Sequence, residues 1–190
     1  METSFIILLA IGLAMDCFAV SVTGGAANKP VFSQRLLMAL AFGLFQAFMP
    51  LLGFLAGQGF IEQIQSVDHW LAFSILLFIG GKMIYEGIKS KKEADGGRAI
   101  KNFFKWHALL SLAVATSIDA LATGLIFVPY ENLIWQAVLI IGTCSFLFSL
   151  LGSYLGSYCR GKISFRAELF GGIILIVIGA KILLDHLVLT

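Results

Sequence analysis

Two aspartates stand where a charged side chain is costly. Asp16 interrupts the apolar run GLAMDCFAVSV (residues 12–22), and Asp119 interrupts ATSIDALATG (residues 115–124). On insertion scales a carboxylate at a bilayer centre costs about 2.5 to 3.5 kcal/mol, so such a residue has a partner or a job. Two of them close together cannot both stay ionised without a counter-charge; they share a proton or bind a cation. Hard oxygen ligands select Mg2+, Ca2+ or Mn2+ over soft-ligand metals. Thr116, three residues before Asp119, and Thr123, four after, share its face in a helix and supply further oxygens. Ser117, two before, faces elsewhere or bonds its own backbone. The equivalent positions around Asp16 are Gly12, Leu13, Ala19 and Val20, so the secondary ligands are expected to be asymmetric. Met15 and Cys17 are each turned about 100° from Asp16. We read both as packing, with a thioether or thiol ligand favouring Zn, Cd or Cu as the alternative.

The elements that must position these groups are membrane helices. Of the 190 residues 59% are hydrophobic and 13% charged, and the mean hydropathy is +0.94, far from the balance of a soluble domain. Windows of roughly 20 apolar residues give six spans, approximately 4–25, 36–58, 70–89, 107–130, 133–158 and 167–187. The expected fold is therefore an all-α, polytopic membrane protein of six transmembrane helices. Little chain is left outside them for a soluble catalytic domain. Glu2 and the lack of a basic residue before the first run argue against a cleaved signal peptide. On helix two, Gln46 lies in an apolar surround, and Pro50, lacking an N–H, frees the carbonyl of Gln46 one turn upstream. That amide and carbonyl either join a cation site or bond across to a neighbouring helix at a kink.

Charge sets the orientation. Of 13 Lys and Arg, eleven fall after helices one, three and five, whereas the alternate loops carry Glu62, Asp68 and Glu131. The positive-inside rule then places the odd loops in the cytoplasm and both termini outside. The basic linker KSKKEADGGRAIKNFFK is explained by this topology, so no nucleic-acid partner is expected. Three cysteines, all in or beside helices, do not suggest a disulfide framework. His69, His107 and His186 sit at helix ends without metal-binding spacing. No Walker-type GxxxxGK[ST] segment occurs, which excludes ATP-driven work on this chain.

The chain also repeats itself. LAIGLAMDCFAVSV from Leu9 aligns with LAVATSIDALATGL from Leu112, placing Asp16 over Asp119 at an offset of 103. LLGFLAG from Leu51 matches LLGSYLG from Leu150, and IGGKMIYE from Ile79 matches IGAKILLD from Ile178, both at an offset of 99. Three helices per half put the second half in the membrane upside down, the inverted repeat of many secondary transporters, whose sites lie at the midplane. The expected organisation is a first repeat over 1–90, a cytoplasmic linker over 91–105 and a second, inverted repeat over 106–190. Helices three and six each carry a basic and an acidic residue four apart, Lys82 with Glu86 and Lys181 with Asp185. These are either interfacial ion pairs or charge compensation and gating, with Lys82 or Lys181 reaching inward to neutralise the aspartates.

AMDCFAVSV, ATSIDALATGL and IGGKMIYEG, in six helices over about 190 residues, resemble the bacterial manganese efflux pump family, MntP, within the LysE-like exporters. The resemblance spans essentially the whole chain. It implies a transporter rather than an enzyme, located in the bacterial cytoplasmic (inner) membrane and protecting the cell from excess Mn2+, with Asp16 and Asp119 as its motif aspartates. Some relatives carry Glu where Gln46 stands here, so an amide replaces one negative charge. The expected activity is Mn2+ export by alternating access with protons as counter-ion. Mn2+ is then a transported substrate, there is no permanently bound cofactor, and an oligomer is allowed. The candidate metal ligands are Asp16, Asp119, Thr116, Thr123 and Gln46. Export of another divalent cation or of a cationic amino acid is the alternative. An intramembrane aspartyl protease is a remote one, because its Y-D and G-x-G-D pattern is not matched.

Overall fold

A computed structural model of the chain describes residues 3–28, 30–59, 68–93, 104–159, 173–177, 180 and 184. Among them there is no strand. Five long helices run α1 Thr3–Asn28, α2 Phe32–Gln58, α3 Asp68–Glu93, α4 Trp106–Gly124 and α5 Glu131–Cys159, and residues 173–177 are helical at the place of the sixth. The spans at Thr3–Ala26, Phe32–Gln58, Trp106–Phe127 and Glu131–Tyr158 are long and apolar enough to cross a membrane, and α3 has a shorter apolar stretch, Phe73–Lys82. Leu44, Phe78 and Leu139 point outward from these helices, an apolar surface suited to lipid. Trp70, Trp106 and Trp135 are exposed near the starts of α3, α4 and α5, where indole rings anchor a helix at the membrane interface. The chain is a polytopic, all-α membrane protein.

Helix ends extend past the apolar windows because polar first turns are helical too. At the start of α2 the Val31 N–H donates to Gln34 Oε1 at 3.2 Å, half of a capping box. The fourth helix departs from expectation in the other direction. Its α-helical part stops at Gly124 rather than continuing to Tyr130, and Leu125–Phe127 tighten into a 3-10 turn. Pro129 lacks the N–H that another helical turn would need.

Helix α1 packs along α5, α2 lies between α4 and α5, and α3 leans on α4. Small residues allow these approaches. At the α2–α5 crossing, a Cβ on Gly43 would lie 3.0 Å from the Gly142 carbonyl oxygen, and one on Gly142 would lie 3.1 Å from that of Gly43. On α2 a Cβ at Gly53 would overlap the carbonyl oxygen of Leu121 in α4; on α5 one at Gly152 would lie 2.7 Å from that of Phe18 in α1. Close backbone approach is how membrane helices gain packing energy where lipid supplies no hydrophobic drive between them.

One end of the bundle is fastened by Arg35. Its Nε donates to the Pro30 carbonyl at 2.9 Å, its Nη2 to Ser157 Oγ at 3.1 Å, and its guanidinium lies 4.2 Å from the Tyr154 ring centroid. Ser157 Oγ in turn lies 3.1 Å from the Gly25 carbonyl, within hydrogen-bond reach. The start of α2 and the ends of α1 and α5 are thereby joined.

Candidate functional site

The polar side chains that helix periodicity aligns are brought together inside the bundle. Thr116 and Asp119, one turn apart on α4, are both buried. Gln46, on the facing side of α2, is fully buried. Its Nε2 donates to the Thr116 carbonyl at 2.9 Å and to Cys17 Sγ of α1 at 3.5 Å. A carbonyl can only accept, so the NH2 edge of the amide must face Thr116. Gln46 Oε1 is thereby turned away, buried and without a hydrogen-bond partner. A buried acceptor left in that condition costs about 1–3 kcal/mol, which a cation or a water would relieve.

The hydroxyls on this face are arranged as acceptors. Thr116 Oγ1 donates back to the Leu112 carbonyl at 3.0 Å, with that of Ala113 at 3.2 Å. Thr123, one turn beyond Asp119, donates to Ala120 O at 2.8 Å. With the proton committed to the helix backbone, Thr123 Oγ1 keeps its lone pairs for a positive ligand, and Thr116 Oγ1, which also accepts from Cys17 Sγ at 3.9 Å, keeps one. Ser117 also bonds its own helix, donating to Val114 O at 3.1 Å.

Asp119 meets a cation from α3. Lys82 Nζ lies 3.0 Å from Oδ1 and 3.2 Å from Oδ2 of its carboxylate. The aspartate side chain is 5% exposed and the lysine 32%. The flexible lysine stem thus delivers its ammonium from a partly open position to a closed one. Of the expected partners, the Glu86 side chain, Lys181 and Asp185 lie outside the described residues. Asp16 is half-buried on α1 beside Cys17, and α1 and α4 touch.

Two residues of this cluster were not among the expected ligands. Cys17 is fully buried, with Sγ 3.9 Å from Thr116 Oγ1. Ser145 of α5, also fully buried, has its hydroxyl beside the Cys17 sulfur. The repeat offset of 99 maps Gln46 onto Ser145, so the signal for Ser145 is present in the sequence. Among the described residues no group of three or more His, Cys, Asp or Glu is arranged to hold a metal ion. A cation here would depend on amide and hydroxyl oxygens as well as carboxylate.

A family described as "Putative manganese efflux pump" matches residues 29–183. Relatives named "Putative manganese efflux pump MntP" occur in Bacteroides thetaiotaomicron, 48% identical and covering 96% of both chains. Others are found in Phocaeicola vulgatus, 43% identical over 100% of both, and Bacteroides fragilis, 49% identical over 95% of this chain and 94% of the relative. No solved structure matches the chain. The family is one of transporters and not of enzymes. A family match over most of the sequence and relatives aligned end to end agree with the membrane fold and its buried polar cluster: the chain belongs to the MntP manganese efflux pump family.

Proposed function

We propose that the protein exports Mn2+ from the cytoplasm across the bacterial inner membrane, by alternating access between two inverted three-helix repeats. The observation that carries this reading is the Lys82–Asp119 ion pair inside an apolar helix bundle. A divalent cation competes with that ammonium for the carboxylate. Thr116, Thr123, the Gln46 amide oxygen and Asp16 complete the oxygen-rich ligand set, which suits Mn2+. Lys82 takes the carboxylate back when the ion leaves, so the return step does not strand a buried charge. Lys181, at the matching position of the second half, has the same duty toward Asp16, with Glu86 and Asp185 holding the two lysines when they are displaced. Protons exchanging at the aspartates couple the cycle.

The helix contacts support the repeat, with halves over 1–90 and 106–190 joined by the 91–105 linker. Under the offsets of 103 and 99, Gly53 against Leu121 becomes Gly152 against Phe18. Gly43 and Gly142 map onto each other and meet each other, as residues beside a pseudo-twofold axis must. Leu76 of α3 and Leu175, also 99 apart, are both fully buried, Leu175 against Gly12 of α1. With the basic loops on the inside, both termini lie outside.

The test is cellular manganese content, measured by mass spectrometry with and without expression. The protein lowers it; Asp16→Asn and Asp119→Asn each abolish the effect while remaining in the membrane. Retained export in both variants overturns the site. Running the same assay with a panel of divalent metals and with lysine separates Mn2+ from the other cargoes considered.

A further inference from the structure

We infer that Cys17 is a metal ligand that sets specificity, its sulfur making the export site favour Mn2+ over Mg2+. The inference rests on the manganese reading above and deepens it.

The sulfur lies at a border. On one side Cys17 closes an apolar cluster with Met38, Phe42, Leu109 and Ala113, which packing alone explains. On the other it faces polar groups from three helices: the Gln46 amide at 3.5 Å, Thr116 Oγ1 at 3.9 Å and the Ser145 hydroxyl. One side-chain oxygen in this group, Gln46 Oε1, is buried without a hydrogen-bond partner, whereas the Ser145 hydroxyl has the Cys17 sulfur as its partner. A thiol that merely fills space accounts for the Ser145 hydroxyl but not for the orphaned oxygen of the amide that contacts it. A cation does, because it accepts electron pairs from amide, hydroxyl and sulfur together, the thiol proton now directed at Thr116 Oγ1 leaving to water as the sulfur binds as thiolate.

The selectivity follows from ligand softness. Mg2+ has the same charge as Mn2+, accepts the same carboxylate, amide and hydroxyl oxygens, and gives up its waters reluctantly. An oxygen-only site therefore discriminates poorly between them. Thiolate sulfur is a soft donor that favours transition metals and is a poor ligand for Mg2+ and Ca2+. One sulfur among oxygens penalises Mg2+ more than Mn2+, and it favours Zn2+, Co2+ and Cd2+ more strongly still.

Sulfur ligation can be read directly with Co2+ added to the purified full-length protein, since a Co2+–thiolate bond gives a charge-transfer absorption in the near ultraviolet. The wild-type protein is expected to show the band and Cys17→Ser to lack it. A Cys144→Ser/Cys159→Ser double variant, in which Cys17 is the remaining cysteine, is expected to retain it. Cys17→Ser also lowers the ratio of Mn2+ to Mg2+ affinity, measured by titration, about tenfold, the lower end of the range for groups that support a metal site. No band in the wild-type protein, or loss of the band in the double variant, overturns the inference, as does an unchanged affinity ratio in Cys17→Ser. Either spectroscopic failure, with Asp119-dependent Mn2+ export intact, removes the sulfur ligand and leaves the export reading standing. A band that depends on Cys17 in a protein that does not export Mn2+ supports the ligand and removes the export reading instead.

Discussion

The α1–α5 and α2–α4 contacts are built on the same positions but carry different chemistry. In each, a glycine of the longer helix, Gly152 or Gly53, lies against a carbonyl of the other, Phe18 or Leu121. The polar inventory then diverges. Thr116 and Thr123 of α4 stand where α1 has Leu13 and Val20, whereas Cys17 and Ser21 of α1 stand where α4 has Ala120 and Gly124. Backbone approach is a requirement on both interfaces, since a Cβ at the glycine would displace main chain rather than a pliable side chain. Ligands are not constrained in that way, so one helix can supply hydroxyls and the other a thiol around a shared centre.

Charge is the largest lever on this comparison. The Lys82–Asp119 pair ties α3 to α4, and removing one partner of a buried pair leaves the other uncompensated, at a cost of several kcal/mol. Because Lys82 is 32% exposed, we expect Lys82→Met to lower stability by about 3 kcal/mol, the lower end for such pairs. Replacing both charges removes the stranded carboxylate, so Lys82→Met/Asp119→Asn recovers most of that loss. Denaturation midpoints of the purified proteins give the answer. A double variant no more stable than Lys82→Met would show that the two side chains are not energetically coupled.

Close packing comes next. Gly53→Ala and Gly152→Ala each place a methyl group against a carbonyl oxygen, and overpacking of this kind costs about 1–3 kcal/mol. The Gly53 clash is the tighter of the two, so both variants lose stability and Gly53→Ala loses more. A thermal-stability measurement in which one variant is harmed and the other unaffected would break the equivalence of the two interfaces.

How much of this was legible beforehand depends on the interaction. Helix existence followed from 20-residue apolar windows, and the shared face of Thr116, Asp119 and Thr123 from the 3.6-residue period. The early stop of α4 was less visible, because hydropathy continues through Leu125–Val128 while the backbone ladder does not. Gln46 stood out as an amide in an apolar run, but the direction of its amide depends on the Thr116 carbonyl, 70 residues away. Lys82 admits both an interfacial and a counter-charge role from sequence, because spacing pairs it with Glu86 and is silent on which face of α3 meets α4. Cys17 looked like packing for a similar reason: its polar neighbours come from three other helices.

The smallest effect sharpens the comparison furthest. Ser21 Oγ and Ser149 Oγ lie 2.7 Å apart between α1 and α5, both buried. The corresponding positions at the other interface are Gly124 and Pro50, where a Cβ on the glycine would overlap the Pro50 carbonyl oxygen. Two hydroxyls thus occupy the place that a glycine and a bare carbonyl fill opposite. Interhelical hydrogen bonds in membrane proteins average about 0.6 kcal/mol, so Ser149→Ala should lower stability by about that much, and Ser21→Ala likewise. Because both substitutions delete the same bond, the double variant should lose little more than either single one, the signature of directly coupled residues. Additive losses in that cycle would mean that each serine acts through other neighbours, and that the two interfaces differ by more than one hydrogen bond.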